Sequence, residues 1–182
     1  MDRLGQAVSG RTVAVVGNAS SLLALDHGGA IDAHALVVRM NRGLLMAPAS
    51  QGRRTSILAF STFAKVADII PAFDADHLVW MSPKRRDEAA ALGALSAGVR
   101  FYDLSRWRRL SDRLGARPSV GAMVLDLMDQ HAPGKVTIYG FDFKQSPTFY
   151  TPKDHIGPHD YRAEKLFCEA LVSLRGWSLV QD

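Results

Sequence analysis

The sequence predicts an α/β fold: one domain with a Rossmann-like, mostly parallel sheet flanked by helices. Two observations carry this reading. Short apolar runs rich in β-branched residues recur along the chain, and segments with helical spacing separate them. Turns bearing Gly, Asn or Ser then follow several of those runs, where an open parallel sheet presents its ligand-binding edge. At 182 residues, the chain is long enough to bury a continuous core as a single domain over residues 1–182. With 47% hydrophobic and 22% charged residues, it has the make-up of a globular protein.

Taken in order, Thr12–Val16 (TVAVV) forms a first strand that stops at Gly17-Asn18. Residues 35–39 (ALVVR) form a second and residues 55–60 a third. Apolar spacing predicts a helix over residues 63–70. Residues 77–81 make a fourth strand, and Pro83 opens a helix to about residue 97. Residues 99–102 give a short strand, and Leu104–Leu114 a helix carrying Arg106, Arg108, Arg109 and Arg113. From Ser119 to His131, Met123, Val124, Leu127 and Met128 mark an amphipathic helix. Lys135–Tyr139 is another strand. A loop rich in Gly, Pro and aromatics covers residues 140–158, a helix follows over residues 158–175, and residues 177–180 make an edge strand.

The net charge of +4 and pI near 9.5 suit a protein that handles phosphorylated or carboxylated ligands. They do not argue for nucleic acid, since basic and aromatic residues are not interleaved as in RNA-recognition modules. The single cysteine, Cys168, excludes an intrachain disulfide. The first ten residues lack the apolar centre of a signal peptide, and the longest apolar runs fall far short of a membrane span. A cytoplasmic protein is the expectation. No Asp-x-Asp pair ends a strand and no Cys/His cluster suits zinc, so no metal is expected.

Three segments carry the candidate chemistry. Gly17 lets the backbone approach a phosphate, with Asn18 and Ser20 beside it. A plain strand-to-helix turn capped by Ser or Asn explains the same residues. A dinucleotide site fits poorly, because only the first glycine of G-x-G-x-x-G is present. The second strand also ends in Arg39-Met40-Asn41, leaving only an NADP reading through Arg39 or Arg42. In the second segment, Pro118-Ser119-Val120-Gly121 opens a helix whose first amides can meet an anion; a routine Ser119 cap is the alternative. In the third, Gly157-Pro158-His159-Asp160 reads as a helix start. A neutral imidazole there can take a proton, so His159 is a candidate general base, with a surface or capping histidine as the alternative.

Two of these segments, in their order, closely resemble motifs of glycosyltransferase family 29, the sialyltransferases. Residues 13–20 with residues 31–41 resemble the family's long sialylmotif. Residues 118–121, followed by Val136-Thr-Ile-Tyr-Gly-Phe-Asp142, resemble its short one. His159-x4-Glu164 is similar to the family's very small motif, whose histidine is the base. The resemblance spans roughly residues 12 to 170 and implies a GT-A-like variant of the sialyltransferase fold. It also implies inverting, metal-independent transfer of an acidic sugar, sialic acid or Kdo-like, from a CMP-sugar to a glycan or glycolipid hydroxyl, with no cofactor; the basic charge, separately, suits peripheral inner-membrane association.

Carried over residue by residue, Gly17, Asn18, Ser20, Asn41, Ser119, Val120, Gly121, Phe141, Tyr150 and His155 hold the donor. In this reading Arg39 fixes loop geometry, against Asp32. Residues five apart on a helix point about 140° away from one another, so Glu164 takes a structural role. The third family motif, a His-aromatic cluster, is poorly kept. Tyr150 supplies its aromatic contact, and His155 or Lys153 stands in for its histidine. The motif cysteine that animal members pair is missing. Two other readings remain open: a nucleotide-binding module without transfer activity, and a phosphate-handling enzyme of the pterin-pyrophosphokinase type with its own strand-Gly-Asn opening. The arginines of residues 106–113, like Lys84-Arg85-Arg86, are either a solvated helix face or a docking surface for an anionic acceptor or the inner leaflet.

Overall fold

The computed structural model describes residues 2–43, 45–83, 92–93, 98–150 and 157–180. Among the described residues seven strands form one sheet: β1 (Thr12–Val16), β2 (Leu36–Met40), β3 (Ile57–Phe60), β4 (His77–Trp80), β5 (Val99–Phe101), β6 (Lys135–Tyr139) and β7 (Ser178–Leu179). Their order is β5-β4-β3-β2-β1-β6-β7, and each pairing is parallel. The chain therefore builds outward from β1 to β5, then returns to lay β6 on the other side of β1. That reversal opens a crevice above the carboxyl ends of β1 and β6, where an open α/β sheet binds its ligand.

The strands read as near-continuous apolar runs because both faces are covered. In β1, Val13 and Val15 join the large core formed with α6 (Val120–His131) and α7 (Tyr161–Arg175), while Ala14 and Val16 pack on the opposite face with Leu22 and Ile31. Phe60, Phe63 and Trp80 fill a separate core toward the β5 edge.

Helix ends follow the local chemistry. The Ser119 hydroxyl caps α6 by accepting from the Ala122 amide at 3.2 Å, and the Asp160 carboxylate caps α7 through the Ala163 amide at 2.9 Å. Asp103 caps α5 (Leu104–Leu114), which Gly115 closes at φ 64°. The short helices α1 (Arg3–Val8), α2 (Gly28–Asp32) and α3 (Pro48–Gln51) carry no clear sequence signal of their own.

Three expectations need correction. The helix expected over residues 63–70 is a 3₁₀ turn at Phe63–Lys65, followed by α4 (Ile70–Phe73), which starts as Pro71 enters a first turn where its missing N–H costs nothing. The last helix begins at Tyr161, after Asp160 has capped it. The second strand sits one residue later than expected, placing Arg39 inside it, 2% exposed. The expected Rossmann-like, mostly parallel sheet is present, and every strand pairing among the described residues is parallel. The helix expected from Pro83, and the basic cluster at Lys84-Arg85-Arg86, fall largely or wholly outside the described residues.

Candidate functional site: a cleft at the sheet's switch point

A cleft of about 480 Å³ lies above the β1/β6 crevice. The tips of β1, β2, β3 and β6, the start of α6 and the residues leading into α7 surround it. Of the sequence-predicted site residues, Gly17, Asn18, Asn41, Ser119, Val120, Gly121, Phe141, Tyr150 and His159 all line this one cleft. Ser20 does not: it opens a 3₁₀ turn and gives its amide to the Pro147 carbonyl at 3.0 Å. His155 and Lys153 lie outside the described residues.

Packing alone already requires glycine at position 17. A Cβ built there would lie 2.2 Å from the Gly140 carbonyl oxygen and 2.7 Å from the Phe141 ring. The same ring would stand 3.0 Å from a Cβ on Gly121. Phe141 thus packs over both glycines, and their bareness admits the tip of β6 between β1 and α6.

Asn18 ties three segments together. Its Nδ2 donates to the Met40 carbonyl at 3.0 Å and reaches the Tyr150 hydroxyl at 3.5 Å. Burial raises the phenol of Tyr150 above its ordinary pKa. Asn41 follows β2 with φ 50°, a left-handed conformation that Asn tolerates. Its amide donates to Ala59 and its side-chain oxygen accepts from the Ser61 amide at 3.2 Å. Among the described residues the Asn41 side-chain NH2 bonds to no protein group, which leaves it free for a ligand.

The mouth of α6 is less open than the sequence suggested. The Ser119 amide donates to Glu164 Oε1 at 2.7 Å, and its hydroxyl donates to Oε2 at 2.6 Å. Val120 and Gly121, in the first helical turn, are the amides with no acceptor among the described residues. Glu164 is 5% exposed, and burial raises its pKa against the lowering effect of the two Ser119 bonds. Its expected structural role is now specific: it fastens α7 to the start of α6.

His159 makes the matching contact one turn earlier. Its Nδ1 lies 2.7 Å from the Arg117 carbonyl oxygen. A carbonyl only accepts, so Nδ1 carries a proton, and in the neutral tautomer this leaves the lone pair on Nε2. The His159 ring is 5.8 Å from that of Tyr161, which also lines the cleft.

Arg39 is tied to loop carbonyls as expected, donating to Arg54 at 3.0 Å and Gln51 at 2.7 Å. Burial lowers its pKa to about 10, and Asp32 acts on it only through space. Asp32 instead accepts from the amides of Arg53 and Arg54. Sequence reasoning missed the Ser119–Glu164 clamp, the Arg117 carbonyl and Tyr161. Both halves of the clamp sat in recognisable motifs, but no local periodicity links residues 45 apart.

The fold is similar to that of sialyltransferases. A mammalian sialyltransferase structure with Gal-β1-3GalNAc-ortho-nitrophenol superposes at TM-score 0.70 and 22% identity, covering 97% of this chain and 71% of the other. The sialyltransferase CstII from Campylobacter jejuni superposes at 0.62 and 13% with cytidine-5'-monophosphate (94% and 79% covered), and at 0.60 and 13% with the substrate analogue CMP-3FNeuAc (93% and 80% covered). These likenesses are of fold.

In sequence, residues 5–87 match the family model described as glycosyltransferase family 29 (sialyltransferase). The chain is thus similar to that family in sequence over just under half its length, and to sialyltransferases in fold over nearly all of it. No curated protein matches the chain.

Proposed function

We propose that this domain transfers an acidic sugar, sialic acid or a Kdo-like keto-sugar, from a CMP-linked donor to a glycan hydroxyl, with inversion and without a metal. One observation carries the reading: Asn41, the first amides of α6 and the free nitrogen of His159 all line one cleft at the sheet's switch point. The solved sialyltransferases of like fold are complexed with CMP, a CMP-sugar analogue or an acceptor glycan.

In this reading the Asn41 side-chain amide and the Val120 and Gly121 N–H groups hold the donor's ribose and phosphate. Negative charge grows on the phosphate oxygen as it leaves, and fixed N–H donors with the α6 dipole stabilise it. The acceptor hydroxyl attacks the anomeric carbon from the opposite side. Its oxygen–carbon bond forms as the carbon–phosphate oxygen bond breaks; the bonding pair leaves with CMP and the hydroxyl proton passes to His159 Nε2. The Arg117 carbonyl keeps the base in the tautomer this step needs. A metal has no required step here, because protein donors meet the developing charge.

CMP release from CMP-sialic acid and from CMP-Kdo, with an acceptor present, tests the proposal. His159→Ala should lower the rate about 10²–10⁴-fold, the span of a lost general base, and leave CMP binding intact. Thermal shift with CMP, GTP, ATP and NADP checks the pocket, and CMP alone should stabilise it. CMP binding without His159-dependent turnover would instead assign a module that has lost transfer. Stabilisation by GTP or ATP but not CMP would overturn the donor assignment.

A further inference from the structure

The segment that leads to the cleft at Arg117 is strongly basic. Residues 108–117 hold four arginines, Arg108, Arg109, Arg113 and Arg117, against one acid, Asp112. Much of the chain's other arginine is committed. Arg39 is bonded to loop carbonyls, and Arg42, Arg100, Arg106 and Arg175 pair with Asp68, Asp2, Asp126 and Asp129. In contrast, the guanidinium groups of Arg108, Arg113 and Arg117 form no ion pair or hydrogen bond among the described residues, and Arg109 reaches only the Ser105 hydroxyl, at 3.2 Å.

Their placement follows from the fold. Arg109 and Arg113 are four apart on α5 and share a face. Arg113 lies over the Phe167 ring of α7 at 4.8 Å, on the helix that follows His159. Arg117 lines the cleft itself, and its own carbonyl holds His159. Arg113 and Arg117, both exposed, lie four residues apart, so the charge runs from the end of α5 to the His159 side of the cleft. Glu164, the acid buried there, is already bonded twice to Ser119. Planar, always-charged guanidinium groups recognise carboxylate and phosphate by paired hydrogen bonds.

We infer that the acceptor is an anionic glycan, one carrying phosphate or carboxylate near the hydroxyl that attacks, and that Arg117 and Arg113 hold that anion beside His159. This deepens the proposed transfer and rests on it. No bond is made or broken by the arginines; they orient the acceptor.

Lactose, lactose 6′-phosphate and sialyllactose, titrated by calorimetry onto the full chain saturated with CMP, test the inference and separate the two anion types. At least one anionic sugar should bind about tenfold more tightly than lactose, roughly the worth of one charge-assisted contact. That preference should shrink in Arg117→Gln and Arg113→Gln, and fall further at 0.5 M salt, where charges are screened within a few ångströms. Arg3→Gln removes the same charge from an exposed residue of α1, a helix that leads to the far end of α6, and should leave the preference unchanged. Equal affinity for the three sugars, no binding of any, or a preference untouched in both cleft variants would overturn the inference. Binding that appears only on anionic vesicles would assign the arginines to a membrane surface and overturn it too. CMP release from the donor alone, followed in parallel, reports the transfer reading separately. Its absence would sink the proposed function; its presence with no anion preference would sink only this inference.

Discussion

Glu164 shows how one side chain sets the state of the site. It takes both hydrogen-bond donors of Ser119, and Ser119 in turn caps α6. In Glu164→Ala, the Ser119 amide and hydroxyl lose their acceptor in a half-buried setting, at a cost of about 1–3 kcal/mol. Glu164→Gln keeps an oxygen for the amide and offers its NH2 to the hydroxyl oxygen, so it should cost less at neutral pH. The carboxyl also carries a pH signature. Burial raises its folded pKa above the ordinary 4.5, so the native state holds the proton more tightly than the unfolded chain does. Its contribution is therefore full below the unfolded value and lost as pH rises through the folded one. Urea unfolding of wild type and Glu164→Gln should show the variant gaining relative stability from pH 4 to pH 8. A difference that stays flat with pH would rule this account out.

At the scale of elements, glycines decide where strands and helices can meet. Gly17→Ala would press its methyl onto the Gly140 carbonyl, 2.2 Å away, and onto Phe141. Backbone cannot swing aside as a side chain can, so the variant should lose more than about 3 kcal/mol. Gly29, inside α2 with nothing within 4 Å of an added Cβ, is the opposite case. Gly29→Ala should gain about 0.4–1 kcal/mol by restricting the unfolded chain. Denaturant midpoints read both, and a Gly17→Ala protein as stable as wild type would refute the packing described.

The same elements show what the sequence made legible. β1 and β6 were readable residue for residue, because each is a β-branched run closed by a glycine. α6 was readable because Ser119 caps an apolar face. The stretch at residues 63–70 misled because Phe63, Val66, Ile69 and Ile70 repeat at helical spacing. The chain instead uses that spacing in a 3₁₀ turn and a second short helix starting near Pro71. In the site, Asn18, Asn41, Ser119 and His159 were visible as members of separate motifs. The bonds that spend the Asn18 amide on Met40 and the Ser119 amide on Glu164 were not, since each joins residues more than twenty apart. Gly17 was visible too, but its cause was not: its neighbour is Gly140, across the switch point.

For the whole molecule, Cys168 offers a direct gauge of how the cleft is coupled to global stability. It is the only cysteine and is fully buried in the large core between α7 and the sheet, beside Phe167 and Leu171. Burial pushes its thiol up to about 12, so almost no thiolate exists at pH 7–8 in the native state. A thiol reagent must therefore wait for α7 to leave the core. The same helix carries Glu164, bonded to Ser119 at the cleft, so α7 cannot open without loosening the mouth of α6. A ligand that binds only the closed cleft must then slow labelling by the factor 1 + [L]/Kd. With free CMP at 100 times its Kd, the rate should fall about 100-fold, equal to about 2.7 kcal/mol. In Glu164→Ala, which unties α7 from Ser119, labelling without CMP should speed up, and CMP should protect the thiol less. The measurement is the pseudo-first-order rate of reaction with a chromogenic disulfide, at several CMP concentrations. A rate that ignores CMP under conditions where calorimetry shows it bound would mean that α7 opens independently of the cleft, and the coupling described here would fall.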